Sequence, residues 1–289
     1  MRPYVDLHTH STASDGSLAP GELVRQAARE KITILALTDH DTTAGLDEAE
    51  AEAGQRGIEF VRGCELSSQT PYGHADFIGL WLPRDIPAFE EKLAWMREAR
   101  ARRNAIMLEK LDELGLHLGF DPDAFPNLKS LGRPQIAVQM ARRGYVKTPQ
   151  EAFNRYIGRD RPAYVPKEAC SPEEAVQMLH AAGAVTVFAH PMLLQCPPDW
   201  REELVKRLIP HGLDALEAYH SEHGNESVRR VLELADRCKL LLSGGSDFHG
   251  ASKPSIRLGR GKGGFRVPEY VLDGLRSRRF EKQGPSANS

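Results

Sequence analysis

The chain has 289 residues, 40% of them hydrophobic and 27% charged, with a formal net charge of −2. This is an ordinary globular composition with material for a large core, and it lacks the global basic field that long nucleic acid requires. No window approaches the roughly 18 apolar residues of a membrane span. Cys64, Cys170, Cys196 and Cys238 form no CxxC pair and read as reduced thiols. No apolar signal region follows Met1, so the expected location is the cytoplasm.

The first apolar run, Tyr4–His8, ends in YVDLHTHSTASDGS, which sets His8 and His10 two apart, with Asp6 before them and Asp15 after. Pro20–Glu30 opens with proline, which suits a first helical turn. Ile32–Leu37 predicts a second strand, with Asp39 and His40 at its end, and Gly45–Gln55 a helix. Ile58–Val61 is a third strand followed by Glu65, and Ala75–Leu80 a fourth. Ile86–Leu114 is one long helical pattern, and Leu116–Arg161 reads as short helices and turns. A helix over Ser171–Ala182 leads to a fifth strand, Ala184–Ala189, ending at His190. Ala215–Ala218 ends near His220, and Leu240–Leu242 near Asp247 and His249. The tail after Arg279 is expected to fray. The expected organisation is one α/β body from residues 1–82 and 163–289, interrupted by a helical insertion over 83–162.

Strands alternating with helices predict a parallel sheet, either a closed barrel or an open doubly wound one. Both place active sites at the C-terminal strand ends, which gathers these scattered residues into one cluster. Residues two apart in a strand share a face, so His8 and His10 can converge on one ion. Imidazole and carboxylate are usual ligands of Zn, Mn and Fe. At least five histidines and three carboxylates exceed the needs of one tetrahedral ion. They predict two or three divalent metals, with Glu65 or Asp247 as a bridge. Such centres serve in-line displacement at phosphorus. Asp6 is expected to support a ligand histidine. Asp39 is expected to cap a helix or give similar support. His223 stands between site and surface. His117, His180 and His211 lie on or beside helical patterns and read as structural or solvated.

DLHTHSTASDG (Asp6–Gly16), ALTDHDT (Ala36–Thr42), GCELS (Gly63–Ser67), AHP (Ala189–Pro191) and GSDFHG (Gly245–Gly250) occur in this order across most of the chain. Together they resemble the PHP family, the polymerase and histidinol phosphatase domains. The resemblance implies a distorted (β/α)7 barrel with a two- or three-metal site for phosphoester hydrolysis. It is strongest to stand-alone phosphoesterases with a helical insertion. Some of these remove the 3′-phosphate of 3′,5′-bisphosphonucleosides such as pAp, or trim short RNA from the 5′ end. The implied ligands are His8, His10, Asp15, His40, Glu65, His190, Asp247 and His249. One position departs from the pattern. The family usually has a histidine in the fourth strand, where HADFIGL puts Asp76, with His74 two residues earlier on the same side. Either can complete the set, and an aspartate would harden it toward Mn or Fe.

A phosphate ester also needs cationic clamps, and arginine offers a bidentate fork. Arg133 in LGRPQIA and Arg161 in YIGRDRPAYVPKE lie in stretches resembling substrate-facing segments of the family, with Arg159 a lesser candidate. EARARRNA (Glu98–Ala105) reads as a salt-laced exposed helix, and KPSIRLGRGKGG (Lys253–Gly264) as a surface loop. The expected chemistry is attack on a phosphomonoester by a hydroxide shared between the metals, in line with the leaving oxygen. The metals and Arg133 neutralise the equatorial oxygens, Asp247 is catalytic through the metals it holds, and His220 protonates the leaving oxygen. His220, His223, Arg133 and Arg161 contact the substrate, a nucleotide or short oligonucleotide, and the protein is a monomer. Rival readings are a histidinol-phosphate or other small-molecule phosphatase, a metallo-amidohydrolase with the same HxH on its first strand, and a silent metal-binding module. The nearly complete ligand set argues against the last, and the acids Asp15 and Glu65 against C–N chemistry.

Overall fold

A computed structural model describes residues 4–119, 132–166, 170–260 and 266–283. The chain forms two compact units, Met1–Glu91 with Cys170–Ser289, and Lys92–Ala169.

The first unit holds seven strands in consecutive order: β1 (Val5–Asp6), β2 (Ile34–Leu37), β3 (Glu59–Thr70), β4 (Gly73–Leu80), β5 (Val185–Phe188), β6 (Ala215–His220) and β7 (Leu241–Gly245). Their apolar residues divide by parity. Ile34 and Ala36 of β2 join Val5, Leu7, Val61, Ile78 and Val187 in the interior. Leu35 and Leu37 face outward, against Leu23, Val24 and Ala27 of α1 (Pro20–Arg29) and Leu46 and Ala49 of α2 (Leu46–Arg56). Burial on both faces is what a helix-clad barrel strand needs, and each large side chain contributes about 1.5–3 kcal/mol.

β1, β2 and β3 are parallel, as are β5, β6 and β7. β4 runs antiparallel to both of its neighbours, which corrects the expectation of a wholly parallel sheet. The cause is local: only Pro71 and Tyr72 separate β3 from β4. A two-residue connection makes a hairpin, whereas a parallel crossover needs a dozen residues or more. β3 also runs on past the apolar residues Ile58–Val61 that predict it, so Glu65 lies inside the strand instead of following it.

The ring is nearly closed where the chain leaving β1 meets the end of β7. Leu7 N donates to Gly244 O at 3.3 Å, Asp247 N to His8 O at 2.8 Å, and His10 N to Phe248 O at 2.9 Å. Gly245 makes this approach possible, because a Cβ there would lie 2.3 Å from the His8 Cβ and 2.4 Å from its backbone nitrogen.

At the opposite end, α9 (Glu269–Gln283) lies across the strand starts. Arg276 pairs with Glu59, Arg278 Nη1 reaches Asp214 Oδ1 at 3.2 Å, and Lys282 Nζ donates to Ala184 O at 2.8 Å. Val271, Leu272 and Leu275 extend the interior core there. These contacts keep Phe280, Glu281 and Lys282 helical, where the sequence suggested fraying. Residues 284–289 lie outside the described residues.

Among the described residues, the first unit also has α6 (Pro172–Ala181), α7 (Pro198–Leu208) and α8 (Asn225–Cys238). Ser171 starts α6 with a reciprocal capping box with Glu174. Among the described residues, no helix is long and apolar enough to cross a membrane.

The second unit takes most of α3 (Pro87–Glu113), with α4 (Arg133–Arg142), α5 (Pro149–Ala152) and a single π-turn (Phe153–Ile157). Met107 and Leu111 pack on Ile136, Ala137, Met140, Ile157 and Ala163. Arg100, Arg103 and Asn104 are buried, so the EARARRNA run is not a uniformly exposed helix face. They continue the stripe of Leu93 and Met96 at steps of three and four, which a charge count could not reveal.

Candidate metal centre

The site lies at the end of the barrel where the parallel strands finish. The chain leaving β1 supplies His8 and His10, and the next turn supplies Asp15. His40 follows β2 and forms a parallel bridge with Glu65, which its strand carries from mid-length. Asp76 comes from the first half of β4, because β4 runs the other way. His190 follows β5, His220 ends β6, and Asp247 and His249 follow β7.

Glu65 is fully buried at the middle of the group. Its Oε2 is 3.4 Å from His8 Nε2, 3.3 Å from His10 Nε2 and 3.2 Å from His40 Nδ1, while Oε1 is 3.2 Å from His190 Nε2. Asp247 Oδ1 is 3.5 Å from His8 Nε2, 3.3 Å from His10 Nε2 and 3.4 Å from His249 Nδ1. Asp15 Oδ1 is 3.2 Å from His249 Nε2 and 3.8 Å from His10 Nδ1. Asp76 Oδ2 is 4.0 Å from His190 Nε2.

These atoms form four overlapping groups with metal-ligand spacing: His10, Asp15, His40 and His249; His8, His220 and Asp247; His8, His10 and Glu65; and Glu65, Asp76 and His190. His74 belongs to none of them; its Nδ1 lies 3.4 Å from Ser68 O. His223 packs beside His220 with ring centroids 5.2 Å apart, and its Nδ1 bonds Ala218 O at 3.0 Å. Arg133 and Arg161 belong to the second unit. The Arg133 guanidinium lies 5.9 Å from the Phe153 ring centroid and 5.8 Å from that of Tyr164. Arg161 is exposed. His117, His180 and His211 lie elsewhere, with Asp112, Lys282 and Gln177 as partners.

Lone pairs meet lone pairs here, and that arrangement calls for cations. His8 Nδ1 faces Glu217 Oε1 at 3.0 Å and so carries a proton. Its Nε2 is left 3.1 Å from the Nε2 of His10. His10 Nδ1 and Asp76 Oδ1 are buried without a hydrogen-bond partner. Protons and divalent metals can both answer this demand. Burial opposes charge on His8, but Glu217, Glu65 and Asp247 outweigh it and hold the ring well above its ordinary pKa. His10 and His190 are raised to about 9 in the same way, chiefly by Glu65 with Asp247 and, at His190, Asp76. Glu65, Asp15 and Asp247 are held well below the carboxylate range despite burial, by His40 at the first two and by Lys253 and His8 at the third. A preformed set of imidazoles and ionised carboxylates fits divalent metal ions.

Three further buried carboxylates hold this set in place. Glu217, which the sequence reading passed over, also accepts the His190 N–H at 2.7 Å and is itself lowered to about 2 by His8, despite burial. Its signal was an acid in the middle of an apolar strand, ALEAYH. Asp39 accepts from Ser11 N at 2.8 Å, Ser11 Oγ at 2.6 Å and Ser14 Oγ at 2.5 Å, and so fixes the turn that carries Asp15. Asp6 accepts from Ser246 N at 2.8 Å, Ser246 Oγ at 2.6 Å and Gly259 N at 2.7 Å. It therefore anchors the backbone beside Asp247 rather than orienting a ligand ring. That backbone is strained: Asp247 has φ 54° and His190 has φ 29°. Left-handed conformations of non-glycine residues persist only where their surroundings enforce them.

The chain is similar to known proteins over most of its length. The family model of the PHP domain matches residues 6–123. A 5′-3′ exoribonuclease of Haemophilus influenzae is 33% identical over 254 residues, which are 86% of this chain and 91% of that protein. A 3′,5′-nucleoside bisphosphate phosphatase of Chromobacterium violaceum is 34% identical over 247 residues, 85% of this chain and 87% of that one. Among solved structures, an amidohydrolase from Chromobacterium violaceum with bound sulfate and no metal aligns with a TM-score of 0.85 at 30% identity, covering 97% of this chain and all of that one.

Proposed function

The chain belongs to the PHP domain family, and we propose that it hydrolyses phosphoesters at the centre around Glu65, acting on the 3′-phosphate of 3′,5′-bisphosphonucleotides or on short 5′-phosphorylated RNA. The observation that carries this reading is Glu65 itself. One buried carboxylate offers Oε2 to three imidazoles and Oε1 to a fourth, which is the disposition of a bridge between metal ions.

His8, His10, Asp15, His40, Glu65, Asp76, His190, Asp247 and His249 would hold two or three divalent ions, of Mn, Fe or Zn. When bound, these supply Lewis acidity to a phosphoryl oxygen and lower the pKa of water. His220 is suited to handle a proton. Its Nδ1 accepts the Glu222 backbone N–H at 3.1 Å, so the ring proton is on Nε2, 3.3 Å from Asp247 Oδ2. From there it can donate a hydrogen bond to a departing oxygen, and once Nδ1 also takes a proton it can pass the Nε2 proton on. Arg133 and Arg161 are proposed as phosphate clamps, and His223 as a substrate contact. The names of the two relatives favour a nucleotide substrate.

The test is hydrolysis by the metal-reconstituted protein of pAp, short 5′-phosphorylated RNA, histidinol phosphate and a cyclic amide. We expect turnover of the first two, abolished in Asp247→Asn and His8→Ala. Activity surviving both substitutions with metal still bound would exclude this centre.

A further inference from the structure

Asp247 divides its two oxygens between different kinds of partner. Oδ1 faces the imidazoles of His8, His10 and His249. Oδ2 faces donors: His220 Nε2 at 3.3 Å and the ammonium of Lys253 at 2.5 Å. Lys253 comes from the loop that reads, in sequence, as mere surface.

We propose that Lys253 is a specificity residue of the metal centre, held over it by Asp247 Oδ2 to receive an anionic phosphoryl oxygen of the substrate. The assignment rests on the phosphoester reading given above.

An exposed lysine–carboxylate pair usually contributes little. Three features set this one apart. Its partner is buried and belongs to the centre, while the Lys253 side chain keeps 38% of its surface exposed. The side chain therefore spans the border between the cluster and solvent. An ammonium has three donors. The pair with Asp247 uses one, which leaves others for an incoming anion. The backbone around it is also fixed. Lys253 N donates to Gly250 O at 3.1 Å and Ile256 N to Lys253 O at 3.0 Å. Ala251 N donates to Ser17 Oγ at 2.7 Å, and Ser252 Oγ to Asp15 O at 3.2 Å. The loop is thus tied to the same turn that carries Asp15.

Such a cation acts on the metals as well. It orients Asp247, which favours metal binding, and it repels a dication with twice the force of a single charge. Orientation by an outer partner typically changes metal affinity by 10–100-fold. The repulsion acts beside a buried carboxylate, and we infer that it outweighs the orientation effect. Lys253 thus weakens the hold on metal while strengthening the hold on phosphate.

The experiment compares wild type, Lys253→Met and Lys253→Arg in two assays. Mn2+ is first titrated into stripped full-length protein against a chelating dye, without substrate. We expect Lys253→Met to bind at least about tenfold tighter than wild type and Lys253→Arg to match wild type. The loaded proteins are then compared for the inhibition constant of inorganic phosphate and the KM for pAp. We expect both to rise about tenfold in Lys253→Met and to be restored in Lys253→Arg. Unchanged or weaker Mn2+ affinity in Lys253→Met overturns the charge argument, and unchanged phosphate inhibition overturns the phosphate contact. Failure of the phosphoester reading looks different: wild type itself would turn over no phosphate ester, while the Mn2+ titration would still report on Lys253.

Discussion

Glu217 Oε1 lies 3.0 Å from His8 Nδ1, and the other oxygen of the same carboxylate accepts the His190 backbone N–H at 2.7 Å. One buried acid thus sets the ring of one candidate ligand and the main chain of another, from the opposite side to Glu65. Glu217→Gln keeps the shape and removes the charge that fixes the His8 tautomer. We predict metal affinity about 10–100-fold weaker, measured by Mn2+ calorimetry. A change below about threefold would mean that Glu217 does not orient His8.

Asp39 satisfies three donors of the Ser11–Ser14 turn. Asp39→Ala leaves both Ser11 donors buried without an acceptor and Ser14 Oγ only the longer contact to Asp15 Oδ1 at 3.3 Å, and the unfolding free energy should fall by about 3 kcal/mol. Urea denaturation would show it, and an unchanged midpoint would mean that water replaces the carboxylate.

Gly245 faces backbone, which cannot yield as a side-chain tip can. Gly245→Ala should cost about 3 kcal/mol or more and open the seam between β1 and β7. Gly54, in α2, has nothing within 4 Å of an added Cβ. Gly54→Ala should instead stabilise by about 0.5–1 kcal/mol, which makes it the control. Equal effects of the two substitutions would contradict the packing argument.

Most of the site was legible because its residues interrupt apolar runs at strand ends, where His8, His190, His220 and Asp247 stand out. Glu65 was legible as a residue but not as part of a strand, because the length of β3 is set by pairing with β4, and pairing is a property of two segments. Glu217 was hidden by its surroundings, since a single acid among apolar residues reads as an exception until its partner is known. Lys253 was hidden because a lysine in a loop is nearly always solvated. Asp6 and Asp39 drew notice as acids, yet what they hold is backbone and hydroxyl, which carry no sequence signature.

The pH dependence follows from the imidazoles. His10 and His190 are raised to about 9 in the folded protein, against 6.5 ordinarily. A raised histidine contributes stability that is complete below about 6.5 and is lost as pH climbs through about 9. His223 has the opposite sign, since burial lowers it to about 4, and it costs stability as pH falls below about 6.5. Protein stripped of metal should therefore melt highest near pH 6.5 and lower at pH 9. Metals compete with the same protons, so the stabilisation by Mn2+ should grow over that window. Melting curves with and without Mn2+ at both pH values test this. A stripped protein equally stable at pH 6.5 and 9 would refute it.

Asp76 offers a hard oxygen whose Oδ1 has no hydrogen-bond partner. Asp76→His replaces it with imidazole and should raise the Zn to Mn ratio of protein reconstituted in an equimolar mixture. Elemental analysis reads the ratio, and an identical ratio in both proteins would mean that Asp76 does not select the metal.

The β3–β4 hairpin has a consequence beyond the ligands it carries. Thr70 stands five residues past Glu65, so the hairpin reaches about 17 Å beyond it, and its tip rests Tyr72 on Trp200 with ring centroids 4.7 Å apart. Glu65 and Asp76 both lie behind this tip. Residues can be gained or lost at the 70–73 turn without shifting the register of either carboxylate. The turn is therefore a place where descendants of this chain can vary in length while inheriting its metal chemistry intact.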